Sequence, residues 1–149
     1  MPTKYQGTPE ENRALNTYIK LQRAAETTLA NTTAHLSTYG LTTSQFAVLE
    51  ALYHLGTLSQ RTLAEKLLKS TGNISVVLKN LERRGLVERH RNPQDMRYME
   101  VRITGKGSEL IASLFPAHVA GIVAEMSILT AAEQEELAQL SRKLGLREA

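Results

Sequence analysis

Residues 58–107 read LSQRTLAEKLLKSTGNISVVLKNLERRGLVERHRNPQDMRYMEVRITGKG. Two short helical patterns run straight into a basic, alternating pattern with a turn at its centre. A helix sized for a DNA major groove, beside a charged hairpin sized for the adjacent groove or backbone, is the layout of a winged helix-turn-helix.

The second of the two helices is predicted from about Thr71 to Arg84, with Ser70-Thr71-Gly72 as turn and cap and Gly85 as stop. On a helical wheel Ile74, Val77, Leu78 and Leu81 share one arc, the spacing of a core face. The opposite arc carries Gly72, Asn73, Ser75, Val76, Lys79, Asn80 and Arg83. Lys79 and Arg83 suit phosphate or guanine, Asn73 and Asn80 an adenine edge, and Val76 a thymine methyl. Gly72 lets backbone approach a groove wall, and a helix N-terminus favours a phosphate. An ordinary amphipathic surface helix would look similar in isolation. The hairpin that follows favours the reading helix. Leu86–Arg91 and Tyr98–Ile103 are its predicted strands, with Asn92-Pro93-Gln94-Asp95 as turn. Arg97 stands at the tip, placed to enter a minor groove, with Asp95 placed to orient its guanidinium or to bond its own backbone. Arg89, Arg91 and Arg102 fit phosphate contact better than base reading.

Outward from this unit, Ser59 caps a helix predicted to bury Leu63, Ala64, Leu67 and Leu68. Before it, Thr42 and Gln45 form a capping box for a helix carrying Phe46, Val48, Leu49, Leu52, Tyr53 and Leu55 and ending at Gly56. A long first helix is expected from Glu10 to about Ser37, with a thin apolar stripe interrupted by threonines and Gly40 as its stop. Thr104 caps a fifth helix that Pro116 should kink, and Thr130 with Glu133 opens a last one that Gly145 should end. Residues 1–9, with Pro2, Gly7 and Pro9, read as a flexible tail. The expected fold is mainly α with a small β-wing, in one continuous domain. Residues 40–106 form the winged helix-turn-helix, and 10–39 with 107–149 form a helical dimerisation region. Those terminal helices carry more apolar surface than a module of that size covers, and a two-fold dimer would cover it and present two half-sites.

Composition narrows the function. Residues 61–106 hold 11 cations against 5 anions, a net +6, while the remainder is −3. A basic block in an acidic remainder fits a face aimed at a polyanion, or a solvated surface. With no Cys there is no disulfide, thiolate metal site or thiol sensing. The opening MPTKYQGTPEEN lacks an apolar signal region, and no run is read as the 18–20 apolar residues of a membrane span, so a cytoplasmic location is expected. His35, His54, His90 and His118 are scattered without metal-ligand spacing, so neither metal nor cofactor is expected. No nucleophile elbow, phosphate loop or local carboxylate pair suggests an enzyme.

The stretches Leu63-Ala64-Glu65-Lys66-Leu67, Asn80-Leu81-Glu82-Arg83-Arg84-Gly85-Leu86-Val87 and Asp95-Met96-Arg97 through Val101-Arg102-Ile103-Thr104-Gly105-Lys106-Gly107 resemble the MarR family of bacterial transcriptional regulators. The resemblance implies a homodimer with intertwined terminal helices, whose reading helices enter successive major grooves of a pseudo-palindrome. It also implies release by a small ligand or an oxidant. Ser70, Thr71, Asn73, Ser75 and Lys79 match the family's reading helix, and Arg97 its wing arginine. Peroxide-sensing members use a first-helix cysteine, which this chain lacks. Ser-Thr-Gly-Asn-Ile-Ser at 70–75 is similar to a branch with quinone- and phenol-responsive repressors. The family's usual pocket, between dimer helices and winged module, gives His35, Tyr39, Phe46 and Tyr53 as candidate liners for a phenolic or quinone-like effector. The alternative for these residues is packing, with Phe46 and Tyr53 in the core and His35 at the surface. For the whole chain, the alternative is a constitutive DNA-binding protein without a ligand response.

Overall fold

A computed structural model of the chain describes residues 3–148. His35–His118 form one compact unit, and the terminal segments up to Ala34 and from Val119 form another.

The terminal unit is helical. Helix α1 spans Pro9–Thr33 and opens with a capping box in which Thr8 and Glu11 satisfy each other's backbone amides, with Pro9 in its first turn. Gly7, Thr8 and Pro9 are therefore part of a built helix start rather than a loose tail; Pro2 lies outside the described residues. The helix ends sooner than its pattern suggests. Thr28, Thr32 and Thr33 turn their hydroxyls back onto carbonyls of the preceding turn, as Thr17 does in mid-helix, bonds that bend a helix slightly without ending it. From Ala34 to Tyr39 the chain tightens into a 3-10 segment. At the other end of the chain, α6 spans Ala131–Leu146 behind the Thr130–Glu133 capping box. It runs through Gly145, and Arg147 in the left-handed region (φ 59°) closes it instead.

The second unit holds the core. Helix α2 (Thr43–Leu55) starts at the expected Thr42–Gln45 box and ends at Gly56 (φ 81°). A two-residue strand β1 (Leu58–Ser59) leads into α3 (Gln60–Lys66), then α4 (Thr71–Arg83), β2 (Val87–Arg91), β3 (Met99–Ile103) and α5 (Gly105–Met126). The sheet is antiparallel in the order β1-β3-β2, with Leu58 opposite Val101 on one side and Arg89 opposite it on the other. Two residues carry no alternation, so in the sequence Ser59 reads only as the cap of α3. Val101 is buried and Met99 and Ile103 half-buried, as the expected alternation requires. The core collects Leu36, Leu41, Phe46, Val48, Leu49, Leu52, Leu63, Ile74, Leu78, Leu81, Leu86, Val87, Ile111 and Leu114.

Two helix ends show how the module is punctuated. After α4, Gly85 (φ 72°) donates to Glu82 O and Leu86 to Leu81 O, a Schellman closure with glycine in the left-handed position. After α3 the same closure forms with Leu68 N to Glu65 O and Lys69 N to Ala64 O, but the left-handed residue is Leu68 (φ 52°). Leu67 is half-buried and packs against the core as expected, whereas Leu68 is 94% exposed and does not join it.

Helix α5 runs unbroken through Pro116. Its length and mean hydropathy (1.4 over an 18-residue window) are those that a core helix can share with a membrane span. Its buried residues Gly107, Ile111, Leu114 and His118 make its first half a core helix of the 35–118 unit.

Candidate nucleic-acid interface

Helix α4 is held at its start by Ser70, whose hydroxyl accepts from Asn73 N at 3.1 Å. Its underside, Ile74, Leu78 and Leu81, is buried, and Val77 is half-buried. Thr71, Gly72, Asn73, Val76, Lys79 and Arg83 are exposed, with Ser75 and Asn80 half-buried between the faces. Val76 is 63% exposed at the centre of this strip, an apolar group left in water by a helix that has a core face to spare for it. Asn80 Oδ1 accepts from Arg83 Nη1 at 3.4 Å, which orients both.

The wing tip is built by side chain to backbone bonds. Asn92 Oδ1 accepts from Gln94 N (2.8 Å) and Asp95 N (3.2 Å), while its amide donates to Glu100 (2.7 Å). Asp95 then takes a forked pair from Arg97, Nε at 2.9 Å and Nη2 at 2.8 Å, and the Arg97 backbone N–H at 3.1 Å. The Arg97 guanidinium holds the Asp95 carboxyl below its ordinary value, helped by that N–H, and Asp95 in turn raises Arg97. The arginine side chain remains 84% exposed and lies 5.9 Å from the Tyr98 ring. It is aimed, charged and open.

The other wing arginines are placed differently. Arg89 bonds Glu82 of α4 through Nε (3.2 Å) and Nη2 (3.0 Å), with little exposure, and so fastens β2 to the reading helix. Arg91 donates to Met96 O at 3.3 Å and braces the loop. Arg102 pairs with Glu88 at 2.7 Å across the strands. Between α4 and the wing lies a cleft of 570 Å³ lined by Ser59, Gln60, Arg61, Thr71, Ser75, Arg89, Arg91, Arg97, Tyr98 and Met99. Five of these, Ser59, Gln60, Arg61, Tyr98 and Met99, are not among the DNA-contact candidates of the sequence. Only the tertiary fold brings the start of α3 to the base of the wing, though Arg61 among the basic residues was the available signal.

The four candidate effector residues are only partly assembled. His35 and Tyr39 meet edge-on at 6.5 Å between ring centroids on the 3-10 segment. His118, not chosen as a liner, lies 5.2 Å from His35 and 4.6 Å from Phe46. The Nε2 of His35 is buried and finds no hydrogen-bond partner among the described residues. Phe46 is a core side chain, as the packing alternative had it. Tyr53 is exposed, outside the core where the packing alternative placed it, and joins the other rings through His54 (5.1 Å) and Phe115 to His118. No group of three metal-ligating side chains occurs among the described residues.

A helix pair with an exposed reading face, followed by a wing with a presented arginine, defines a winged helix-turn-helix DNA-binding protein. Comparison with known proteins is specific. A family model described as "MarR family" matches residues 39–97. MhqR, an HTH-type transcriptional regulator of Bacillus subtilis (strain 168), is 34% identical over 134 residues, covering 90% of this chain and 92% of MhqR. Among solved structures, BpsR of Bordetella bronchiseptica, whose DNA binding is regulated by 6-hydroxynicotinic acid, superposes with a TM-score of 0.79 at 25% identity over 87% of this chain and 98% of that one. A MarR mutant from E. coli complexed with operator DNA shares the fold at a TM-score of 0.81 and 23% identity, over 89% and 96% of the two chains. The chain belongs to the MarR family of DNA-binding transcriptional regulators.

Proposed function

We propose that this chain is a cytoplasmic homodimeric repressor that leaves a pseudo-palindromic operator when a small phenolic or quinone-like molecule binds. In this reading Ser70, Thr71, Asn73, Ser75, Val76, Lys79 and Arg83 face the major groove, and Arg97, steadied by Asp95, enters the adjacent minor groove. Arg89 and Arg91 support the wing. The terminal segments at 10–39 and 107–149 supply the dimer contacts and residues 40–106 the DNA-binding region.

The observation that carries the DNA reading is the exposed Val76 at the middle of a polar strip, on a helix whose apolar arc is otherwise buried. Exposed aliphatic groups in such a position fit thymine methyls. The ligand reading is supported by the buried, unpartnered His35 Nε2 beside Tyr39 and His118, and by the regulation of BpsR by a hydroxylated aromatic acid. Selection of bound sites from random DNA tests the first part, and a two-fold symmetric consensus is expected. A gel shift on that site with and without catechol, hydroquinone and 6-hydroxynicotinic acid tests the second. A fall in affinity of about tenfold, roughly 1.4 kcal/mol, marks a working switch. Unchanged affinity with every compound counts against the switch and in favour of constitutive binding.

A further inference from the structure

The C-terminal end of α4 is gripped by two elements that meet again elsewhere. Arg84, the cap residue of α4, extends its guanidinium to the closing turn of the 3-10 segment. Its Nη1 donates to Gly40 O at 2.7 Å and its Nη2 to Tyr39 O at 3.3 Å. Lys106, in the first turn of α5, donates from Nζ to Arg84 O at 3.1 Å, and the Thr104 hydroxyl donates to Gly85 O. Thus the 3-10 segment holds the end of the reading helix from one side and the start of α5 from the other. The same segment and the same helix touch a second time where the rings of His35 and His118 lie 5.2 Å apart. The two elements form a closed frame, with the imidazole pair as one joint and Arg84 as the other.

We infer that Arg84 is a positioning residue that couples the His35–His118 joint to the reading helix. A change in the separation of the two rings must tilt the 3-10 segment against α5. Within the 35–118 unit, the tilt is felt where both elements grip α4. A guanidinium fork on two successive carbonyls transmits such a tilt better than a flexible ammonium would, because its donors are fixed in one plane. Arg84 directs Nη1 and Nη2 to backbone carbonyls of its own unit, whereas Lys79 and Arg83 stand on the exposed strip of α4, so its task differs from theirs. The inference rests on the DNA-binding reading of α4 for its functional meaning, though the mechanical link is a property of the frame itself.

The test has two arms, both on the full chain. In the first, amide hydrogen exchange is followed at Gly40 and Leu41, whose N–H groups bond Ser37 O and Leu36 O. Replacing one ring of the joint by His118→Phe should speed exchange at both amides about threefold or more; unchanged rates overturn the link whatever the protein binds. In the second arm, a double-mutant cycle of His118→Phe and Arg84→Gln is read as Kd for a selected operator. The double variant should depart from the product of the single effects by threefold or more, and Arg84→Lys, which keeps a donor, should recover part of that departure. A cycle that closes to within about 1.5-fold overturns the coupling. The salt dependence of Arg84→Gln should match the native protein, and a slope reduced by about 0.9 would instead make Arg84 a phosphate contact and overturn the assignment. A native chain that enriches no DNA sequence refutes the DNA-binding reading and this role for Arg84, while the exchange arm still reports the frame.

Discussion

Between Leu36 and Leu114 the chain buries a continuous aliphatic core, whereas α1 and α6 bury no side chain among the described residues and leave Leu29, Leu137, Leu140 and Leu144 exposed. The same local devices build both regions. Thr8–Glu11, Thr42–Gln45 and Thr130–Glu133 are equivalent capping boxes. What differs is where the apolar surface goes. A cap contributes about 1 kcal/mol, whereas a fully buried leucine contributes about 1.5–3 kcal/mol. Local signals therefore define the terminal helices without giving them a resting place, and a second copy of the chain is the covering surface we propose.

That contrast is breakable at four points, in decreasing order of effect. Leu49→Ala removes a fully buried side chain of the 35–118 unit, and urea unfolding should show a loss of about 2–5 kcal/mol. If the loss is below 1 kcal/mol or so, that unit does not stabilise itself. Leu140→Asp places a charge on an exposed face. Sedimentation should show the dimer dissociating at a concentration at least about tenfold higher, with the 35–118 amide spectrum unchanged. A monomeric native protein at micromolar concentration would remove the dimer from the proposal. Arg97→Ala touches neither core nor terminal helix. Operator affinity should fall by about 1–3 kcal/mol while the melting temperature stays put, and an unchanged Kd would take the wing out of binding.

The smallest effect concerns Asp95. Its carboxyl is held below the ordinary 3.8 by Arg97, so the tie between them is present above that value and is lost as the pH falls through the lowered one. Carboxyl chemical shifts followed downward from neutral pH should place the Asp95 midpoint below that of an Arg97→Ala variant. Coincident midpoints would mean that the forked pair does not form in solution.

The winged module was legible because its punctuation is written in residues of special backbone behaviour. Gly85 announces the end of α4, Asn92-Pro93 the wing turn, and the spacing of Ile74, Leu78 and Leu81 the buried arc. Leu68 shows the limit. It occupies the position that Gly85 fills one helix later, and no residue type signals it, so the apolar pattern of α3 runs one residue past the core. The 3-10 segment has no signature of its own, because its sequence keeps helical spacing up to Leu36. Of the candidate site, the reading strip and Arg97 could be placed from spacing. The partnership of Arg89 with Glu82, the approach of Arg61 and the meeting of His35 with His118 could not, since each joins residues whose nearness is created by the fold.

The Arg89–Glu82 tie has a consequence for the shape of DNA that this protein tolerates. It ties the wing strand to the reading helix, and so links the Val76 strip to the Arg97 tip as the two arms of a caliper. A caliper that must touch two neighbouring grooves at once responds to how tightly the duplex is wound, because overwinding or underwinding shifts one groove relative to the next. Occupancy should then track the torsional state of the chromosome, and titrating relaxed and supercoiled circles that carry one operator reads that dependence directly; equal affinity for both would mean that the caliper flexes.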